Sequence, residues 1–244
     1  KCVSGELPVT EDNKSIDFEE VLKILKSKDI KYRKRLADFS GVRSILMTES
    51  FDEGFTVEDV ALEKNNNFKI IFYYNIANEK GAGNYAFFAF DEKDKKTYFR
   101  SKLEIKIYGN RMANNRKDSF DYFYDEIVEK GVKDIRTYDS VSGHAGGWEK
   151  MTIYRLRGNE FKKIFNAEIT SYGGGAGNEK TGWISVDEKT KIDFVNGDNW
   201  PKIIQRVGQE QIKGDKCGIY EENKINEMWF WDKDLYEYVL KDKK

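Results

Sequence analysis

His144 is the one histidine in 244 residues, so any Ser-His-Asp or Cys-His site in this chain would have to be built on it. It lies in Ser142-Gly143-His144-Ala145-Gly146-Gly147-Trp148, a glycine-rich loop, and no G-x-S-x-G nucleophile signature occurs anywhere. One imidazole and two distant cysteines, Cys2 and Cys217, make a poor zinc site. The run Gly173-Gly174-Gly175-Ala176-Gly177-Asn178-Glu179-Lys180-Thr181-Gly182 has neither Walker nor dinucleotide spacing, and a strand-like segment follows it where a phosphate cradle needs a helix N-terminus. The 43 carboxylates allow a glycosidase-like pair, but nothing singles one out. The sequence therefore points away from catalysis, metal and cofactor.

What remains is a recognition pattern. Tyr85, Trp148 and Trp183 each follow a glycine-rich loop and head an apolar segment, and Tyr172 precedes the third loop. Rigid aromatics beside small residues suit protein or sugar contacts. With His144 they form the candidate binding set, although the same spacing also suits rings that plug a gap between sheets.

Those residues need a scaffold. Aromatics make up 14% of the chain and the formal charge is −1, a combination that folds and does not stay disordered. The balance of 42 basic against 43 acidic residues argues against nucleic acid as a partner. No apolar run is long enough to span a membrane. Ser15 or Asp17 can cap a helix over roughly 16–28, with Phe18, Val21, Leu22 and Leu25 at helical spacing. The basic run from Lys23 to Arg35 is then expected to be a solvated helix face leading into a linker, a phosphate or anionic-lipid contact being the alternative. This divides the chain into an arm and helix, 1–35, and a β domain, 36–244, with no second long helix.

From Leu36 onward short apolar runs recur between Gly, Asn and Asp: Ser44–Met47, Lys69–Tyr74, Tyr85–Phe90, Met151–Leu156, Phe161–Phe165 and Met228–Trp231. This spacing predicts a mainly β, antiparallel architecture. Gly41-Val42-Arg43-Ser44-Ile45, Gly131-Val132-Lys133-Asp134-Ile135 and Gly197 to Ile204 resemble one another, which suggests an internal repeat that brings the glycine-rich loops to one rim. The segments DFSGVRSILM, EKGVKDIRTYDS and VNGDNWPKIIQRV resemble the turn and strand that open a blade in FG-GAP/VCBS-type β-propellers. TIYRLRGNEFKKIF and MWFWDKDLYEYV resemble the hairpin that ends one. The resemblance implies a small propeller of four or five blades, a β-sandwich being the alternative, and a secreted or cell-surface recognition domain. Calcium sites do not carry over, because the acidic spacing is missing.

Cys2 and Cys217 lie near opposite ends, and a disulfide between them would imply an oxidising compartment; two free thiols are the alternative. The expectation is an exported bacterial protein, secreted, periplasmic or on the cell surface, with a lipid anchor at Cys2 as a further option. It binds a protein or carbohydrate, as an inhibitor or immunity-type protein would, without chemistry. A carboxylate-dependent glycan hydrolase and a structural envelope protein are the alternatives.

Overall fold

A computed structural model describes residues 18–27, 29–47, 52–76, 83–93, 96–106, 120–143, 146–176, 183–216 and 218–241. Strands make up 70% of it and helices 13%, so the mainly β, antiparallel expectation holds. The expected helix is present as α1 (Phe18–Lys26), with Phe18, Val21, Ile24 and Leu25 buried.

The linker expected after it is a second helix, α2 (Ile30–Ser40), and the boundary placed between residues 35 and 36 falls inside it. Asp29 caps its start by accepting from the Lys31 N–H at 2.9 Å. Gly41, at φ +71°, ends it, donating its N–H to the Ala37 carbonyl. Arg33, Leu36, Ala37 and Ser40 form its buried side, while Lys31, Lys34 and Arg35 face solvent. Burial of Arg33 is what the charge run concealed. Its guanidinium forks onto Glu53 at 2.5 and 2.7 Å, and the Tyr73 hydroxyl donates to the same carboxylate at 2.9 Å. The segment after Gly41, expected as a strand over Ser44–Met47, is the short helix α3 (Arg43–Leu46), which buries Ile45 and Leu46.

Twelve strands follow: β1 (Asp52–Glu63), β2 (Asn66–Ile76), β3 (Gly83–Lys93), β4 (Lys96–Lys106), β5 (Phe120–Asp125), β6 (Asp134–Gly143), β7 (Gly146–Arg157), β8 (Glu160–Ala176), β9 (Trp183–Val195), β10 (Ile203–Gly214), β11 (Gly218–Asp232) and β12 (Glu237–Leu240). The first four form one antiparallel sheet and the other eight a second, each strand hydrogen-bonded to its chain neighbours. A four-stranded unit of blade size thus occurs once among the described residues, and no closed barrel or propeller is formed there.

The four-stranded sheet is covered on both sides, which is why β2 and β3 are almost continuously apolar. One side packs Ile71, Tyr73, Ala86, Phe88 and Phe90 against the helices. The other packs Phe68, Ile70, Phe72, Tyr85 and Phe87 against Ile135, Leu156 and the aromatics of β5. A third core gathers Met151, Ile153 and Phe165 with Ile204 and Tyr238 from the far end of the long sheet. The sheet folds onto itself there because β8 pairs with β7 along most of its length but with β9 only over Thr170–Ala176. The Tyr238 hydroxyl closes this core by donating to the Lys202 carbonyl at 2.8 Å.

Candidate functional site

Above that third core the β7–β8–β9–β10 region is open, and two of the sequence-selected aromatics meet on it. Tyr172 of β8 lies directly opposite Gly147 of β7 and Asp187 of β9. Gly174 lies opposite Ser185, which lies opposite Lys213, and Ala176 lies opposite Trp183. Directly opposed residues share a side of a sheet and alternate residues repeat it. Tyr172, Gly174, Trp183, Ser185, Asp187 and Lys213 are therefore one surface.

Both rings are laid down on glycine. A Cβ added at Gly147 would sit 2.8 Å from the Tyr172 ring, and one added at Gly174 would collide with the Trp183 indole nitrogen. Each ring leans across the neighbouring strand and covers backbone that has no side chain of its own, an arrangement known to support glycines in sheets. Asp215 fixes Trp183 further: its carboxylate accepts from the Trp183 N–H at 3.0 Å, and its own N–H donates to the Trp183 carbonyl at 3.0 Å. The rings are held but not covered, since Tyr172 is 38% and Trp183 55% exposed. Between and beside them is a shallow cavity of about 300 Å³, lined by both rings, Gly146, Ser185, Asp187 and Lys213.

The other selected residues fall elsewhere. Trp148 neighbours Gly147 in β7 and so points to the opposite side, where the Lys150 ammonium lies 4.2 Å from its ring centre. Tyr85 is 8% exposed and belongs to the core between the two sheets, stacked on Phe120 with ring centroids 4.1 Å apart. His144, Cys2 and Cys217 lie outside the described residues. Of the three glycine-rich loops, the second and third join adjacent hairpins of the long sheet, with Gly146 opposite Gly173, while the first belongs to the other sheet. Sequence reasoning missed Ser185, Asp187, Lys213 and Asp215, because only strand register brings them beside the rings.

Charge at this end of the long sheet is mostly paired. Asp187 bridges to Lys189 at 3.5 Å, and Arg206 bridges Glu188 and Glu227. Among the described residues no group of His, Cys, Asp and Glu could hold a metal. On β6, burial pushes the Asp139 carboxyl up from 3.8 to about 6, with Lys150 opposite pulling it partly back. A carboxyl raised on folding lends stability below its ordinary pKa, and that contribution is lost as pH rises through about 6. Asp139→Asn is therefore expected to be more stable than the wild type at about pH 8, by about 1–2 kcal/mol after discounting for partial exposure. The advantage should vanish below about pH 4; thermal melts of both proteins across that range check it.

No helix among the described residues is long and apolar enough to cross a membrane. No family model matches the chain, and no solved structure matches it. Two curated proteins are similar, both described as aspartate–tRNA(Asp/Asn) ligase of Borreliella burgdorferi, one from strain ZS7 and one from strain B31. Each is 27% identical over 150 residues, 57% of this chain and 25% of the relative. The chain thus spans about a quarter of the length of these relatives, too small a share to establish a family.

Proposed function

We propose that this chain is an exported bacterial recognition protein that binds a protein or carbohydrate partner on the Tyr172–Trp183 surface and carries out no chemistry of its own. The observation that carries this reading is the pair of exposed rings pinned over glycine on one side of a sheet. Pinning removes most of the conformational entropy that binding would otherwise have to remove. Ser185, Asp187 and Lys213 add polar groups that could orient a ligand, and the cavity volume lies at the lower limit for small-molecule sites.

Among the described residues lining the cavity Asp187 is the one carboxylate, and the paired carboxylates that glycoside hydrolysis uses are not found among them. The balance of 42 basic and 43 acidic residues gives no support for carrying a tRNA-directed role over from the ligases. An inhibitor or immunity-type protein is one role that suits such a surface. The resemblance to secreted FG-GAP/VCBS-type propellers, and a Cys2–Cys217 disulfide, would fit the same export reading.

The test is capture of a partner from native periplasm or medium by the wild type, followed by titration against variants. Trp183→Ala is expected to weaken binding by roughly 30-fold or more, the scale of a hot-spot aromatic. Gly174→Ala keeps the indole but displaces it, and should weaken binding while preserving the sheet, because only side-chain atoms of Trp183 crowd the new methyl. Unchanged affinity in both variants would remove this surface from the reading.

A further inference from the structure

β11 is the second-to-last strand of the long sheet, and among the described residues its outer edge is largely uncovered. It pairs with β10 along its length, from Ile204 opposite Trp229 to Gly214 opposite Gly218. On the other side β12 covers only Trp229–Asp232, with one further backbone bond from the Lys241 N–H to the Met228 carbonyl. Over residues 219–227 no described strand takes the outer row of N–H and C=O groups. This segment of β11 is solvated: Glu221, Glu222, Asn223, Lys224 and Asn226 are exposed. An open row of this length is a template for another strand unless something opposes it.

The charges on this edge decide what fits. We infer that the segment 219–227 of β11 pairs antiparallel with the same segment of a second copy of this chain, about a two-fold axis at Asn223. A two-fold axis perpendicular to the sheet keeps each side chain on its own face, so it must pass through a residue and not between two. An axis at Glu222 sets Glu222 against its own copy. One at Lys224 sets Lys224 against itself and Glu221 against Glu227. One at Ile225 opposes Lys224 to Asn226 and forms no ion pair. The axis at Asn223 sets Glu222 opposite Lys224 of the second copy, and symmetry forms that pair twice. It also brings Ile225 against Glu221, with no like charges opposed. Cross-strand pairs of opposite charge stabilise a ladder and like pairs weaken it, so this register is selected over its neighbours. The two eight-stranded sheets then run on as one, and the Tyr172–Trp183 surfaces of both copies stay open because the contact uses only the edge.

Sedimentation of the full chain under reducing conditions tests this, the reductant preventing any contribution from cysteine cross-links. The wild type is expected to sediment as a concentration-dependent dimer. Lys224→Glu opposes Glu222 to a glutamate and should weaken the dimer at least tenfold, and Glu222→Lys should do the same by opposing two lysines. The double exchange, Glu222→Lys with Lys224→Glu, restores both pairs and should restore the dimer. These residues are exposed and far from any core, so circular dichroism of every variant should match the wild type. A wild type that remains monomeric at its highest soluble concentration overturns the inference. So does a double exchange no tighter than either single one, which would place any self-association elsewhere.

Discussion

Asp134→Ala is expected to lower the melting temperature by roughly 6–20 °C, from a loss of about 3–5 kcal/mol spread over a chain of this size. Asp134 opens β6 and is fully buried. One of its oxygens accepts from Arg155 at 2.9 Å and the other from the Val128 N–H at 3.1 Å. Arg155, whose side chain is 8% exposed, also reaches Glu129 at 3.1 Å and the Tyr236 hydroxyl at 3.2 Å. One guanidinium thus ties β7 to the turn before β6 and to the turn before β12. Burial pushes the Asp134 carboxyl up from its ordinary value, and the Arg155 guanidinium and the Val128 N–H pull it partly back. Removing the aspartate leaves the buried guanidinium with two of its three partners, the half-exposed Glu129 and the Tyr236 hydroxyl, and the loss of its buried counter-charge is the source of the large cost. Arg155→Met added to Asp134→Ala removes the stranded charge and should recover part of the loss. Asp134→Asn, which keeps an acceptor for Val128, should cost less than Asp134→Ala. Strictly additive costs in the double variant would show that the two residues do not act as a pair.

Tyr85→Ala is the second large effect, about 3–5 kcal/mol, as expected when a buried aromatic is truncated to alanine. Its ring stacks on Phe120 and lies 6.1 Å from Phe72, between the two sheets. Trp183→Ala, by contrast, should change stability by less than about 1 kcal/mol, because more than half of that side chain is already in water. Chemical denaturation of the two variants separates a packing aromatic from a presented one. A Trp183 variant as unstable as the Tyr85 variant would mean that the indole supports the sheet and is not held there for a partner.

These two tyrosine and tryptophan positions also mark the limit of what the sequence discloses. Gly83-Asn84-Tyr85 and Gly146-Gly147-Trp148 look alike as strings. What separates Tyr85 is the second sheet stacked over it, a long-range event that leaves no local mark. Tyr172 and Trp183 were legible as aromatics flanking a glycine run. Their placement on one side, with Trp148 on the other, depends on a register that opposes Tyr172 to Gly147. The strands over Lys69–Tyr74 and Tyr85–Phe90 were plain in the sequence because a layer buried on both sides must be apolar throughout. Helix α2 was hidden because its buried side includes Arg33, whose position is understandable only once Glu53 and Tyr73 of the first sheet are beside it.

In both sheets every strand bonds only to the strands before and after it in the chain. Such a meander closes short loops almost exclusively, so it avoids the slow step of bringing distant segments together. The same order makes the sheet modular along its width. A hairpin added or lost within β9–β11 would leave the order of the remaining strands unchanged, as in solenoids, at the expense of the third core to which Ile204 and Tyr238 contribute. A change in the number of hairpins at the β12 end would therefore be felt by the third core, while the helix-covered sheet, which has cores of its own, would stay as it is.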